Sequence, residues 1–281
     1  MKKIKNIILL LIFIIGFAVF AYPTVSNWLA EYNQIKVVQS YNKYVTSISP
    51  AQMEEEWRRA EEYNELLQAG PITDPFSNVD KVEPFTEYDT VLNVDGVMGY
   101  IEIPSIDVKL PIYHGVTEEV LQKGVGHIKS TALPIGGEGT HAVLSAHSGL
   151  PEVKLFTELE KVKENDYFYL YVLDKEMAYK VDQITVVDPD DISNLTPEDG
   201  KDYVTLVTCT PIGINSHRLL VRGERTEIPV DKEVNETKQI PIYWIIPIII
   251  LVMLLIIVIL RKKRLRDTAK SSSISKSSSV E

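Results

Sequence analysis

The chain has 281 residues, of which 45% are hydrophobic and 24% charged, and its formal net charge is -10. This composition excludes a wholly disordered chain and a collagen-like or low-complexity chain, and the acidic charge argues against nucleic acid as the main partner. Cys209 is the only cysteine in the sequence, which excludes an internal disulfide and a cysteine-rich zinc site.

An apolar run near the N-terminus predicts a membrane anchor or a secretion signal. The run covers residues 7–22 and follows three lysines, which is the charge pattern of a cytoplasmic flank. Val19-Phe20-Ala21 has small residues at the two positions that a signal peptidase recognises. Both cleavage and retention of segment 1–22 therefore stay open.

Residues 23–68 follow with a helical pattern, because apolar side chains recur among charged ones at a spacing near 3.6. The pattern predicts two helices. The second begins at Pro50, since Ser49 can cap it, proline suits the first helical position and Gln52 completes a capping box. Gly70-Pro71 ends it.

The pattern then changes from helix to loop and strand. Residues 69–80 hold two prolines, a glycine and few apolar side chains, which predicts an exposed loop. From 81 to 228, short runs rich in β-branched residues alternate with proline and glycine, and one short helical pattern lies between Leu155 and Val162. This favours a mainly β domain, either a closed barrel or a sandwich.

A second uncharged run covers residues 240–260, after a linker at 229–239. At about 1.5 Å per residue it is long enough to span a bilayer, and a core helix rarely runs so far without a charge. Residues 261–281 form a basic cluster and a serine-rich tail that we expect to be disordered. Because both apolar runs are basic on the terminal side, both termini are predicted to be cytoplasmic and segment 23–239 extracellular.

Cys209 is the leading candidate for chemistry. It ends the apolar run 204–208 and precedes Thr210-Pro211, so the proline stops the strand and leaves the thiol near a rim. Free cysteine is more often a small buried hydrophobe. A lone thiol on an extracellular domain risks oxidation, however, and is expected to have a use.

A cysteine nucleophile also needs a group that transfers protons. Five histidines are available, and the residues alone do not choose among them. His147 follows an apolar strand pattern, as Cys209 does, although a hydrogen-bonded structural histidine would look the same. A zinc site built from His141, His147 and Cys209 is a weak alternative, because it matches no standard ligand spacing.

Two arginines are candidates for stabilising an oxyanion. Arg218 and Arg222 lie in the predicted strand 217–222, where a period of two puts them on one face, with Leu219 and Val221 on the other. If the Leu219 side faces the core, both arginines point outward. The alternative interpretation of each is ordinary surface charge.

These candidates fall in segments that resemble the sortase family. Three segments carry this resemblance: Thr205-Leu206-Val207-Thr208-Cys209-Thr210-Pro211, Asn215-Ser216-His217-Arg218-Leu219-Leu220-Val221-Arg222-Gly223, and Thr140-His141-Ala142-Val143-Leu144-Ser145-Ala146-His147. The resemblance covers about residues 95–223 and implies a closed β-barrel. It implies that His147 is the catalytic histidine, Cys209 the nucleophile and Arg218 the arginine, with Arg222 as the rival. Leu206, Thr208 and Arg222 are further candidates for a substrate groove.

Two features resemble class C, the pilus-assembly sortases. One is the C-terminal membrane segment. The other is Asp74-Pro75-Phe76, which is similar to the Asp-Pro-aromatic lid of that class and lies just before the barrel. Ser148 follows His147 where many class C members have arginine, a departure expected to alter the groove and not the chemistry.

The function implied is transpeptidation by a membrane-anchored cysteine enzyme. Cys209 would cleave a Leu-Pro-x-Thr-Gly-like sorting signal between Thr and Gly, and a lysine amine of a pilin would resolve the thioester. The expected partners are pilins or other surface proteins with sorting signals and the membrane, not nucleic acid; no metal or organic cofactor is required. Alternatives are a housekeeping sortase acting on peptidoglycan, a hydrolytic cysteine peptidase and, last, a non-enzymatic adhesin.

Overall fold

The computed structural model describes residues 2–68 and 88–230. Two helices lead the chain, α1 at Lys2–Val45 and α2 at Pro50–Gln68. The capping box before α2 is confirmed: the Ser49 amide donates to Gln52 Oε1 at 3.0 Å, and the Gln52 amide donates to Ser49 Oγ at 3.3 Å. A proline costs a helix one hydrogen bond, yet α1 runs without a break through Pro23, which composition predicts as the boundary between an anchor and a helical segment.

One stretch of α1 is long and apolar enough to cross a membrane. It covers Leu11–Val45, with a mean hydropathy of 1.6 in its most apolar window, and none of that window is buried. The exposure argues against a core helix of a soluble protein, although a cleavable signal sequence would have the same properties.

Within the described ranges, eight strands close into a barrel, which confirms the barrel over the sandwich. Around the barrel their order is β1-β2-β3-β4-β7-β8-β6-β5. The strands are β1 at Val97–Ile103, β2 at Val108–His114, β3 at Val125–His127, β4 at Thr140–Ser145, β5 at Tyr167–Val172, β6 at Lys175–Val187, β7 at Asp202–Thr210 and β8 at His217–Thr226. A one-turn helix, α3 at Glu118–Leu121, joins β2 to β3, and the 3-10 turn Leu159–Lys161 lies in the predicted helical stretch.

Side chains on the strands alternate between two apolar clusters. Leu206, Leu219 and Val221 belong to the large cluster that fills the barrel. Val207 and Leu220 belong to a smaller outer cluster, which also contains Ile128, Val143 and Leu195. Because neighbouring residues on a strand point to opposite faces, Cys209 and Arg218 lie on the outer face, as the sequence predicted for the arginine.

The two helices are fastened to the barrel by buried hydrogen bonds. The Tyr41 hydroxyl donates to the Met98 carbonyl at 2.9 Å and accepts from the Leu173 amide at 2.7 Å. From α2, the Asn64 side chain accepts from the Leu133 amide at 2.7 Å. Each bond satisfies a backbone group that burial would otherwise leave without a partner, so the helices are part of the fold.

The chain separates into two compact units, residues 1–235 and 236–281. The second unit lies outside the described residues. So do the predicted lid within 69–80 and the predicted membrane segment 240–260. The predictions made for these segments stay predictions.

Candidate active site

The register between two parallel strands brings His147 beside Cys209. Strand β4 pairs with β7 so that Ser145 is opposite Val207. Two residues further along both chains, His147 and Cys209 leave the same end of the barrel on its outer face. The sequence predicted a strand-end position for each residue, and the parallel pairing explains why the two ends coincide.

Hydrogen bonds continue the connection past the end of β4. The Ala146 amide donates to the Val207 carbonyl at 3.1 Å, and Thr208 Oγ1 donates to the Ala146 carbonyl at 2.8 Å. Ser148 Oγ then donates to the Cys209 carbonyl at 2.6 Å. The backbone on both sides of His147 is therefore tied to the backbone that carries the thiol.

Arg218 faces Cys209 from the other side. The two residues are direct partners in the antiparallel pairing of β7 with β8, which places their Cβ atoms about 4.5–5.5 Å apart. Both side chains are half-buried. Arg218 Nη1 donates to the carbonyls of Asn215 at 3.3 Å and His217 at 3.1 Å. Over residues 2–68 and 88–230, it has no carboxylate partner, so its charge is available to a ligand.

Glu118 is a residue of this site that sequence reasoning missed. Both of its carboxylate oxygens lie 3.2 Å from His147 Nε2. A hydrogen bond from Gln122, and then the charge of His147, hold the pKa of the Glu118 carboxyl below its usual range. Thr117 caps α3 by accepting from the Val120 amide at 3.4 Å. That cap was the one local signal in the sequence, and it places a helix without revealing its partner.

Two further histidines are engaged elsewhere. His141 contacts Thr205 Oγ1 at 2.7 Å and the Thr196 carbonyl at 3.1 Å, and burial lowers its pKa. His127 is fully buried, which lowers its pKa to about 4. Because His141 is held at the far end of β4, it cannot join His147 and Cys209 around one ion. Among the described residues, no group of three candidate ligands is close enough for a metal site.

Comparisons with known proteins agree with this geometry. Residues 101–226 match the family description "Sortase domain". Sortase C of Streptococcus pneumoniae is 46% identical, with a TM-score of 0.62, and the alignment covers 69% of this chain and 97% of that one. The chain belongs to the sortase family. Sortase C1 of Streptococcus agalactiae is 42% identical with a TM-score of 0.65, covering 69% and 100%. Sortase A of Bacillus anthracis is 28% identical over 223 residues, 79% of this chain and 95% of that protein.

This sortase is accordingly a cysteine transpeptidase, and its solved neighbours place it with class C. The structure supplies the parts that acyl transfer requires. A thiol, an imidazole and a guanidinium meet at one rim of the barrel, each on a different strand or strand end. A cation beside the reacting sulfur can stabilise the negative charge that develops on a carbonyl oxygen.

The prediction that Leu206 and Thr208 line a substrate groove is wrong. Leu206 and Thr208 are 0% and 1% exposed, respectively, because even-numbered residues of β7 point into the barrel. They cannot line a surface groove. The outward positions on this strand are Tyr203, Thr205, Val207 and Cys209, of which the first three are also buried, by segments that cover the outer face. The apolar run 204–208 has no alternation of polar and apolar residues, so the sequence could not show which side chains face inward.

Arg222, the rival to Arg218, lies further along the same outer face. It is opposite Thr205, four residues from Cys209. Its guanidinium pairs with Asp182, Nη2 to Oδ2 at 2.6 Å, and lies 4.1 Å from the centre of the Tyr203 ring. Through these contacts Arg222 connects β8 to Asp182 on β6 and to Tyr203 on β7. The register favours Arg218 for the catalytic position.

Proposed function

We propose that this sortase polymerises pilins. In the reaction, the Cys209 thiolate attacks the Thr carbonyl of a Leu-Pro-x-Thr-Gly-like signal, and the tetrahedral intermediate collapses to a thioester as the Thr–Gly bond breaks. His147 gives its proton to the departing Gly amine. A pilin lysine amine then attacks the thioester, loses its proton to His147 and releases Cys209. Arg218 donates to the oxyanion in both steps.

The observation that carries this proposal is the direct pairing of Cys209 with Arg218 across two strands, with His147 at the end of the next strand. The report on Sortase C of Streptococcus pneumoniae concerns pilin substrate specificity, and another solved neighbour is Sortase C1 of a pilus island. Those statements describe the neighbours. They support pilins as the substrate class here.

The proposal includes the membrane arrangement. The apolar part of α1 anchors the enzyme, the barrel lies on the extracellular side, and segment 240–260 returns the chain to a cytoplasmic tail. The proposal also includes Asp74-Pro75-Phe76 as a lid over the site. Neither segment 240–260 nor this tripeptide lies among the described residues, so both rest on the sequence.

The acceptor decides between this function and its alternatives. The full chain is incubated with a sorting-signal peptide and, in separate reactions, with a lysine-containing pilin peptide, a peptidoglycan stem peptide or buffer alone. Mass spectrometry should show an amide between the signal and the lysine side chain. Preference for the stem peptide would indicate a housekeeping sortase, and hydrolysis with every acceptor would indicate a peptidase. Cys209→Ala should give no product, and any product from that variant would exclude Cys209 as the nucleophile.

A further inference from the structure

Helix α1 runs along the barrel and leaves it at one defined end. Tyr41 bonds to Met98 and to Leu173, which lies at the turn between β5 and β6. Nineteen residues earlier, the Tyr22 hydroxyl lies 3.5 Å from Glu152 Oε1. At 1.5 Å per residue, these two contacts are about 28 Å apart along the helix axis. The apolar residues that precede Tyr22 therefore project from the end of the barrel that carries Glu152.

That end also carries the catalytic residues. Glu152 is four residues after Ser148, whose hydroxyl contacts the Cys209 carbonyl. Four residues reach at most about 15 Å, so Glu152 lies close to Cys209. Strand β6 gives the same result, because it starts beside the turn held by Tyr41 and ends at Val187, opposite Arg218. The active site and the membrane-directed part of α1 thus share one end.

The loop between β7 and β8 presents two isoleucines at this end. Ile212 is 45% exposed and Ile214 is 72% exposed. The loop touches the segment that leads to Glu152: Gly149 has a φ of 74°, and a Cβ built on it would lie 2.5 Å from Ile212 Cγ2. Single exposed apolar residues are common on protein surfaces, but these lie at the end of the barrel from which the apolar part of α1 projects.

The charges at this end argue for apolar contact with lipid rather than attraction to anionic headgroups. Glu118 and Glu119 on α3 and Glu152 beside Tyr22 are exposed carboxylates. The lysines nearby are paired with carboxylates, Lys123 with Glu119 and both Lys154 and Lys161 with Glu158, which leaves the charge of Arg218 beside the thiol. An anionic membrane surface attracts clusters of free basic side chains, which this end does not present among the described residues. Isoleucine side chains, by contrast, are stabilised when they leave water for the interfacial region of a bilayer.

We propose that the active-site end of the barrel faces the membrane and that Ile212 and Ile214 dip into the lipid interface. The partner of this surface is the bilayer that holds α1, so the inference rests on the proposed membrane anchoring. It places the thiol close to the membrane surface. A sorting signal should then be cleaved best when it is itself displayed close to that surface.

The test uses the full chain in phosphatidylglycerol vesicles, with Cys209→Ala to remove the native thiol. Nitroxide labels are attached at Ile15→Cys in the apolar part of α1, at Ile214→Cys, and at Ile228→Cys. Ile228 is the matched control, since it is 45% exposed and follows β8 at the opposite end of the barrel. Collisions with oxygen, which partitions into lipid, are compared with collisions with a water-soluble nickel complex.

The label at position 214 should show an oxygen-to-nickel ratio several-fold above that at 228, and high salt should not lower it. Equal ratios at 214 and 228, with the label at 15 inside the bilayer, would overturn the orientation and leave the anchoring intact. A label at 15 exposed to the nickel complex would overturn the anchoring and the orientation together. The transpeptidase proposal is tested separately by its products.

Measurements of activity provide a second test of this proposal. The double change Ile212→Ser, Ile214→Ser should slow the reaction of vesicle-bound enzyme with a bilayer-anchored sorting signal several-fold, and Ile228→Ser should not. With a soluble signal peptide, the double variant should match the wild type. A comparable loss with the soluble peptide would mean that the isoleucines bind the substrate itself, which would overturn the assignment to lipid.

Discussion

Replacing each of two arginines by lysine should separate a catalytic effect from a structural one. Arg218→Lys keeps the charge beside Cys209 but loses the planar fork that can offer two donors to an oxyanion. Loss of one such donor typically costs about 2.7 kcal/mol in activation free energy, so turnover should fall on the order of 100-fold. The change should leave Tm nearly unchanged, since Arg218 bonds only to backbone carbonyls at the loop among the described residues.

Arg222→Lys should do the reverse. It loses the paired contacts with Asp182 and the stacking on Tyr203, whereas the ammonium retains the charge. The side chains of Arg222 and Asp182 are only 18% and 26% exposed, so we expect a stability loss near the upper end for such pairs, about 1 kcal/mol. For a domain of this size, that corresponds to roughly 2–4 °C in Tm.

Both variants are assayed with a fluorogenic sorting-signal peptide for kcat and KM, and by thermal unfolding for Tm. The expected result is a slow, stable Arg218→Lys and a fast, less stable Arg222→Lys. If Arg222→Lys lowered kcat and Arg218→Lys did not, the strand register would be the wrong basis for assigning the catalytic arginine. The catalytic role would then move to Arg222.

Two further changes test how His147 is held. Ser148→Ala removes the hydroxyl that bonds to the Cys209 carbonyl; a neutral hydrogen bond contributes about 0.5–1.5 kcal/mol, so kcat should fall roughly 2- to 10-fold and Ser148→Thr should restore it. An unchanged kcat in the alanine variant would show that the bond positions nothing. Glu118→Gln replaces the carboxylate at His147 Nε2 by a neutral amide; loss of that charge-assisted contact should lower kcat several-fold without changing Tm. Glu119→Gln, on the same helix but paired with Lys123, is the control, and an equal change of kcat in both variants would refute the role of the contact.

Much of the fold could be predicted because individual residues in the sequence indicate where strands end. Proline after Thr210 stops β7 directly beyond Cys209, and the period of two on β8 correctly put Arg218 on the face opposite Leu219. The same rule gives no answer inside β7, where apolar residues occupy both faces. A continuous apolar strand is buried on both sides, and only its neighbours decide which side chains fill the barrel.

The rest depended on contacts between distant segments. Glu118 and His147 are 29 residues apart, and their contact requires α3 to pack beside the end of β4. Composition predicts a boundary near Pro23, yet the backbone stays helical through it. Apolar character and helical conformation are different properties, and a helix that enters a bilayer can continue along the domain that it anchors.

The lid prediction can be tested through the reactivity of the Cys209 thiol. Asp74 and Phe76 lie outside the described residues, but the site they would cover is known: Cys209 is half-buried, and the guanidinium of Arg218 has no carboxylate partner in the part of the chain that the structure describes. A carboxylate from Asp74 would form a charge-assisted pair there, and an aromatic ring would make a mildly favourable contact with sulfur.

The double change Asp74→Ala, Phe76→Ala should therefore raise the alkylation rate of Cys209 by roughly 10-fold at fixed pH, which corresponds to about 1.4 kcal/mol of lost closure. Tm should not change, because these contacts are made with the rim and not with the barrel core. Asp80→Ala, in the same predicted loop, is the control for a general change in charge. Equal alkylation rates in the wild type and the double variant would mean that the tripeptide does not shield the thiol, and the regulatory part of the class C resemblance would then have no support in this chain.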